Sequence, residues 1–170
     1  MNAVDVVRED SAVRADADNK VRALLREYVN AVDRTDLEAW RELFAETSSY
    51  VVTTRENEEC GLPLAFVYDD SKDRIHDRVT YVTQVWTGHY NDYRQRHIIS
   101  DASVTWKDDI AHVSVGFALY IAEPMRSGSR LLATGEYVDT VAIEAGVAKF
   151  RSKKVILDAD VLPRYFVYPL

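Results

Sequence analysis

The side chains able to transfer a proton near neutral pH are few in this chain. Histidine has the unperturbed pKa closest to neutrality, and a buried carboxylate or phenol beside it can complete an acid–base pair. The candidate residues for such a pair are Tyr28, Asp33, Tyr50, His97 and His112. The candidate acid–base group is therefore His97 with Asp33 or Tyr50. A single histidine on a strand is also commonly a hydrogen-bonded structural group.

The two strand histidines are predicted to lie far apart. Aspartates at positions 108–109 are typical of a turn, so the flanking strands should form a hairpin. In that hairpin His97 faces Tyr120 and His112 faces Thr105. The two histidines are then separated by roughly 26 Å at about 3.3 Å per residue. They cannot share one proton-relay site.

Three basic residues cluster on the last predicted strand, at Arg151, Lys153 and Lys154. Charged side chains on an edge strand discourage pairing with other chains, so we expect a solvated or partner-facing edge here. The acidic residues that could pair with this cluster across the sheet are Glu136, Asp139 and Asp158.

Three helices are predicted in the first half of the chain. Apolar residues at helical spacing follow Asn19 up to Asp33, whereas residues 1–18 are acidic and weakly periodic and are interpreted as a flexible or frayed arm. Thr35 and Glu38 form a capping box before a short second helix. Cap residues at 69–71 begin the third helix, whose buried positions are Ile75, Val79, Val82 and Trp86.

Strand patterns dominate the second half. Two short β-rich runs, SSYVVTTR and LPLAFVY, precede the third helix, and four longer runs follow it at 93–107, 110–123, 130–143 and 147–160. The predicted fold class is α+β, with three N-terminal helices packed on a curved, mainly antiparallel six-stranded sheet that forms a cone. Gly116 and Gly135 are predicted to mark bends. Residues 19–170 should form one domain.

Composition excludes several classes of function. The chain has 170 residues, 47% of them hydrophobic, which is enough for one substantial core. A net charge of −7 disfavours binding to nucleic acid. No run of residues is long and apolar enough for a membrane span, so no membrane association is expected. The single cysteine, Cys60, cannot form an internal disulfide, which suggests a reducing cytoplasm.

Four segments taken in order carry a family resemblance. They are YDDSKDRIHDRV, RQRHIISDASV, TGEYVDT and FRSKKVILDADV. Together they resemble the small, or beta, subunit of aromatic-ring-hydroxylating dioxygenases, a family with the cystatin-like cone fold of nuclear transport factor 2 (NTF2). The resemblance spans about residues 21–170. Within the family, the segments most similar to small subunits of oxygenases acting on carboxylated arenes, terephthalate above all, are YVVTTRENEECGLPLAFVYDDS, TGEYVDT and the closing PL.

The resemblance implies partners that carry the chemistry. In such enzymes an alpha subunit holds a Rieske [2Fe–2S] cluster and a mononuclear Fe(II), electrons come from NADH through a separate reductase, and the assembly is α3β3. A Rieske cluster needs two Cys and two His ligands, which a chain with Cys60 alone cannot provide. We therefore expect a structural subunit with no catalytic, cofactor or metal residues of its own.

A structural subunit should supply an interface. Aromatic residues and arginine are enriched at buried interfaces. The candidates in the loop after the third helix are Trp86, His89, Tyr90, Tyr93, Arg94 and Arg96, and those in the tail are Arg164, Tyr165, Phe166 and Tyr168. These side chains could instead pack within their own subunit.

A second hypothesis follows from the same fold. Cone-fold proteins similar to scytalone dehydratase or ketosteroid isomerase act alone, through proton transfer in the cavity. On this hypothesis the chain is a stand-alone dehydratase, isomerase or small-ligand-binding protein that uses His97, with Asp33 and Tyr50, in its cavity.

Overall fold

The structure is a computed structural model that describes residues 3–86, 93–161 and 167–170, with side chains from residue 12 onward. Its helices are α1 (Ala3–Asp33), α2 (Leu37–Glu42), α3 (Arg55–Glu59) and α4 (Lys72–Thr80). A π-helical turn, Tyr81–Val85, continues α4. None of the helices in the described residues is both long and apolar enough to cross a membrane.

The strands form one curved sheet packed against the helices. They are β1 (Phe44–Thr54), β2 (Val67–Asp69), β3 (Arg94–Ile99), β4 (Ser103–Lys107), β5 (Ile110–Ala122), β6 (Arg130–Glu144) and β7 (Val147–Leu157). The order across the sheet is β2-β1-β7-β6-β5-β3, and β4 pairs with β5 beside β3. Only the β1–β7 pair is parallel among the described strands. The predicted α+β class and mainly antiparallel sheet are confirmed, with one more strand and one more helix than predicted.

The predicted strand 93–107 is two strands, because the chain leaves the ladder at Ser100–Ala102. Here the Ser100 N–H donates to the Gly116 carbonyl at 2.9 Å, and the Ser100 hydroxyl accepts from the Gly116 N–H at 3.0 Å. The interruption shifts the pairing of β3 by one residue. His97 therefore faces Leu119 rather than Tyr120, and that prediction was wrong. The predicted pairing of His112 with Thr105 is confirmed.

Helix α1 contributes a row of apolar residues to the hydrophobic core. Its predicted buried positions are confirmed at Val21, Leu24, Leu25, Tyr28 and Val32, all at most 3% exposed. Burying a side chain of this size contributes roughly 1.5–3 kcal/mol. The helix begins at Ala3 rather than Asn19, and Asp18 accepts a hydrogen bond from Trp106 Nε1 at 2.7 Å. Fraying of residues 1–18 stays a prediction.

The caps of α2 and α4 lie within one or two residues of their predicted positions. Asp36, not Thr35, caps α2, and its Oδ1 accepts from the Ala39 N–H at 3.0 Å. Thr35 has a φ of 57°, so its backbone is in the left-handed region and it cannot serve as the cap. Ser71 caps α4 as predicted.

Gly135 on β6 marks a close approach rather than a bulge. A Cβ at this position would lie 2.1 Å from the Ile156 carbonyl oxygen and 2.9 Å from the Phe117 ring. The register shifts in the β5–β6 and β6–β7 pairs lie elsewhere, between Leu119 and Tyr120 and between Thr140 and Val141. Because Gly135 has no side chain, β6 can lie directly against the Ile156 carbonyl of β7 and the ring of Phe117.

Candidate functional site

His97 and Asp33 form a buried pair at the junction of β3 and the end of α1. His97 Nδ1 lies 2.7 Å from Asp33 Oδ1, and the His97 backbone N–H donates to the same oxygen at 3.0 Å. The side chains are 0% and 4% exposed. A carboxylate at a helix C-terminus faces the negative end of the dipole, and these contacts, with Arg96 at 3.4 Å, offset that repulsion. The predicted pairing of His97 with Asp33 is a real contact.

In the His97–Asp33 pair, one nitrogen of the imidazole ring does not contact the carboxylate. With Nδ1–H directed at the carboxylate, Nε2 is the atom that can accept or release a proton. Nε2 of His97 is buried and has no hydrogen-bond partner among the described residues, and the same holds for the Tyr137 hydroxyl. Phe117 connects the two rings, with its centroid 6.5 Å from His97 and 4.4 Å from Tyr137. Burial first, and then the charges of Tyr50, Asp139 and Asp33, raise the pKa of Tyr137.

His112 does not join this group. It is exposed on the opposite face of the sheet, and it pairs with Thr105 while His97 pairs with Leu119. Seven positions on β5 separate Leu119 from His112, which is about 23 Å. The prediction that the two histidines cannot share a site is confirmed.

The basic cluster on β7 is not at an edge. Strand β7 lies between β1 and β6 in the sheet, so the predicted solvated edge is wrong. Lys153 is fully buried and its Nζ lies 2.9 Å from Asp139 Oδ2, in a side chain that is also 0% exposed. Lys154 pairs with Glu58 at 3.0 Å and Arg151 with Glu144 at 2.7 Å. The pairing of Lys153 with Asp139 is as predicted, but its burial is not.

Aromatic rings surround the Lys153 ammonium. Its Nζ lies 3.5 Å from the centroid of Tyr137, 4.2 Å from that of Tyr28 and 5.1 Å from that of Phe150. Burial lowers the pKa of Lys153 and raises that of Asp139, since desolvation disfavours both charges. Sequence reasoning missed this cluster. The signal that could have revealed it is the alternation of side chains between the two faces of β7. This alternation places Lys153 on the same face as Val155 and Leu157, whereas Lys154 lies on the other face.

Tyr28 and Tyr50 have a different partner from the one predicted. The Tyr50 hydroxyl accepts from the Leu170 N–H at 2.9 Å, and the Tyr28 hydroxyl donates to the Leu170 carbonyl. Burial is the main cause that raises the pKa of Tyr50 to about 12 and that of Tyr28 well above its usual value. Both are therefore neutral phenols near pH 7. Tyr50 binds the tail rather than completing the His97–Asp33 pair.

The predicted interface residues are only partly covered by the structure. Trp86 and Tyr93 are half-buried, and Arg94 and Arg96 are exposed. Tyr93 meets Tyr168 edge to face, with centroids 5.7 Å apart. His89, Tyr90, Arg164, Tyr165 and Phe166 lie outside the described residues. A role for any of the ten in an interface stays a prediction.

No group of three or more His, Cys, Asp or Glu side chains in the described part of the chain could hold a metal ion. Of the four histidines, His97 contacts Asp33 and His76 contacts Arg41 at 2.7 Å. Cys60 is exposed.

Comparison with known proteins identifies the family. The family model described as "Ring hydroxylating beta subunit" matches residues 27–164. The chain belongs to the ring-hydroxylating beta subunit family. Among curated relatives, the anthranilate 1,2-dioxygenase small subunit of Burkholderia cepacia is 24% identical over 89% of this chain and 92% of its own length. Subunit beta 2 of the terminal oxygenase component of a Comamonas terephthalate 1,2-dioxygenase is 25% identical over 89% of this chain and 97% of its own.

Solved structures agree with this assignment. The beta subunit assigned to an aromatic-ring-hydroxylating dioxygenase of Novosphingobium aromaticivorans superposes with a TM-score of 0.81 at 26% identity, covering 93% of this chain and 99% of its own. An NTF2-like protein of cystatin-like fold from the same species gives 0.65 at 16% identity, covering 92% and 91%. The predicted cystatin-like, NTF2-like fold is confirmed. The similarity to anthranilate and terephthalate subunits is nearly equal, so the subunit class is supported and terephthalate in particular is not.

Proposed function

We propose that this chain is the structural, non-catalytic beta subunit of the terminal oxygenase of a cytoplasmic, NADH-dependent aromatic-ring-hydroxylating dioxygenase. Its partner is an alpha subunit that carries a Rieske [2Fe–2S] cluster and a mononuclear Fe(II), in an α3β3 assembly served by a separate reductase. The match of residues 27–164 to the beta subunit family carries this proposal.

The cysteine content and the buried ion pair of this chain support a non-catalytic role beside an iron-bearing alpha subunit. A Rieske centre takes two cysteine and two histidine ligands, and this sequence has one cysteine. The most prominent buried ionic contact, Lys153–Asp139, is closed in by rings and has no exposed atoms that could meet a substrate. The aromatic core packed around it suits a scaffold that supports another chain.

The proposed substrate is an aromatic carboxylate such as terephthalate. The two curated relatives described above are subunits of dioxygenases named for anthranilate and terephthalate, and both compounds are aromatic carboxylic acids. On this proposal the substrate pocket belongs to the alpha subunit, and the beta subunit acts on the reaction only through assembly.

Co-expression tests the proposal directly. The chain is co-expressed and purified with a candidate iron-bearing alpha subunit, and size-exclusion chromatography with light scattering gives the stoichiometry. We expect equal numbers of both subunits and oxidation of an aromatic acid when reductase and NADH are added. An alpha subunit that works alone at the rate of the complex would contradict the structural role.

The His97–Asp33 pair supports a second candidate function, a stand-alone dehydratase, isomerase or ligand-binding protein. The buried and unpartnered Nε2 is the specific observation in its favour. The variant His97→Gln separates the two proposals. Under the oxygenase proposal the assembled complex keeps its oxidation rate, whereas under the alternative the chain alone has a lyase or isomerase activity that the variant lacks.

A further inference from the structure

An exposed apolar stretch connects α3 to β2. Residues 61–66 are all exposed, and a large apolar side chain recurs at every second position from 62 to 68. These side chains, called the apolar row below, are Leu62, Leu64, Phe66 and Tyr68, which are 46%, 58%, 49% and 64% exposed. Single exposed apolar residues are normal on a protein surface, whereas a contiguous group of them marks an interaction site.

The backbone of this stretch is held by hydrogen bonds to β1. The Leu64 carbonyl accepts from the Thr53 hydroxyl at 2.7 Å, and the Phe66 N–H donates to the Val52 carbonyl at 2.8 Å. The apolar side chains are therefore exposed on a backbone that is already fixed. A partner that covers them loses little conformational entropy in ordering the stretch.

A groove of about 450 Å³ lies between the apolar row and the outer face of the sheet, which is turned away from the core. On that face Tyr68, Val51 and Lys154 are cross-strand neighbours on β2, β1 and β7. Leu62 and Leu64 also line the groove. Binding clefts have volumes of roughly 300–1,000 Å³ and mostly apolar walls. The groove is therefore large enough for the apolar side chains of a bound segment.

Helix α3 gives the border of the groove a negative charge. Glu58 pairs with Lys154 at 3.0 Å, whereas Glu56 and Glu59 are exposed and have no ion pair among the described residues. In a two-fold contact through this surface, a second copy would bring the same two glutamates to it. Charge therefore opposes self-association here and favours a partner with Lys or Arg beside its apolar side chains.

We propose that the apolar row and the groove form the surface that binds the alpha subunit, through a segment of that subunit with large apolar side chains and flanking Lys or Arg. This inference rests on the proposed function. A permanent partner should cover an apolar surface, because obligate interfaces are more hydrophobic than other protein interfaces. The surface contains none of the ten interface residues predicted from the sequence.

Binding of Leu64→Ser and Tyr68→Ser to a candidate iron-bearing alpha subunit is the first test. Both side chains are more than half exposed in the free chain, so the variants should melt like the wild type. Each should bind at least about tenfold more weakly, because the interface loses a buried apolar anchor. The matched control is Val147→Ser, which should bind like the wild type. Val147 is 55% exposed and lies seven positions before Lys154 on β7, about 23 Å from the groove.

Three results would overturn the inference, and light scattering with the affinity measurement distinguishes them. If the wild type and both variants bind equally, the surface lies outside the interface and the proposed function stands. If the wild type binds no alpha subunit, the proposed function fails and the inference fails with it. If the chain alone forms an oligomer that Leu64→Ser dissociates, a second copy occupies the surface.

The double variant Glu56→Gln/Glu59→Gln tests the basic flank of the partner. Complementary charges speed association, and salt screens them. The variant should associate more slowly than the wild type at low salt and at the same rate at high salt. Equal rates at low salt would overturn the basic flank.

Hydroxyl-radical labelling of the wild-type complex tests the surface without any substitution. Phe66 and Tyr68 should lose most of their labelling when the alpha subunit binds, because their exposed rings become covered. Met125, which is fully exposed between β5 and β6, should keep its labelling and is the internal control. Unchanged labelling of Phe66 and Tyr68 in the purified complex would overturn the inference.

Discussion

The buried pair of Lys153 and Asp139 gives the sharpest prediction about stability. The two side chains are 0% exposed and 2.9 Å apart. Replacement of Lys153 by Met keeps an unbranched side chain of similar volume but leaves the Asp139 carboxylate without its cation. Breaking a buried ion pair in this way costs about 3–5 kcal/mol. That is a large share of the roughly 5–15 kcal/mol by which domains are stable.

The reciprocal variant should cost less. In Asp139→Leu the Lys153 ammonium loses its carboxylate, but it keeps the rings of Tyr28, Tyr137 and Phe150. A desolvated cation–π contact is worth about 2 kcal/mol. Burial lowers the pKa of Lys153 and raises that of Asp139, so either group can become neutral when its partner is removed, and the surrounding rings are what make the lysine the less costly of the two to leave unpaired. We expect a loss of about 2–4 kcal/mol for Asp139→Leu, smaller than for Lys153→Met.

Urea denaturation of both single variants and of the double variant Lys153→Met/Asp139→Leu measures how much each change lowers the free energy of unfolding. The double variant should recover to within about 1–2 kcal/mol of the wild type, because it buries no unpaired charge. Lys154→Met is the matched control on the same strand, since its pair with Glu58 is partly exposed and should cost under about 1 kcal/mol. A double variant that loses the sum of the two single losses would refute the reasoning, as would a loss below 1 kcal/mol for Lys153→Met.

Two further predictions follow from the packing and the tyrosines. Gly135→Ala should lower the free energy of unfolding by more than about 3 kcal/mol, because its Cβ would lie 2.1 Å from a backbone oxygen. Gly116→Ala is the control and should lower it by under about 1 kcal/mol, because the nearest atom to its Cβ is 3.5 Å away. Thermal or urea unfolding measures both, and equal losses would contradict this account. Stability should also fall above pH 10, since the Tyr50 pKa is 10.0 in its usual state and about 12 in the fold, so the folded chain holds its proton longer and loses about 1.4 kcal/mol per pH unit. Urea unfolding at a series of pH values above 9 measures this decline in stability. Tyr50→Phe should weaken the decline, and an unchanged pH profile in that variant would show that another group causes it.

Several features of this protein follow from the sequence alone. The apolar spacing in α1 predicts its buried face and its end at Asp33, because a helical period of 3.6 residues can bury only one stripe. The cap at Ser71 and the strands that become β5, β6 and β7 follow from local preferences for caps, turns and β-branched residues. The count of one cysteine already limits the metal chemistry of the chain, since ligand number does not depend on the fold.

Tertiary structure decided the environment of the charged residues. Strand β7 pairs with its neighbour β6 in a local hairpin, but its other partner is β1, whose Ser49 pairs with Ser152 across 103 residues, so no local pattern shows that Lys153 is in the interior of the sheet. The one-residue shift that sets His97 opposite Leu119 arises where the chain leaves the ladder at Ser100. Likewise, the binding of Leu170 by Tyr28 and Tyr50 joins three distant segments. Sequence spacing determines which residues share a face of a strand or helix. Strand order and long-range packing determine which of those faces is removed from water, and this desolvation shifts the pKa of the ionisable groups on it.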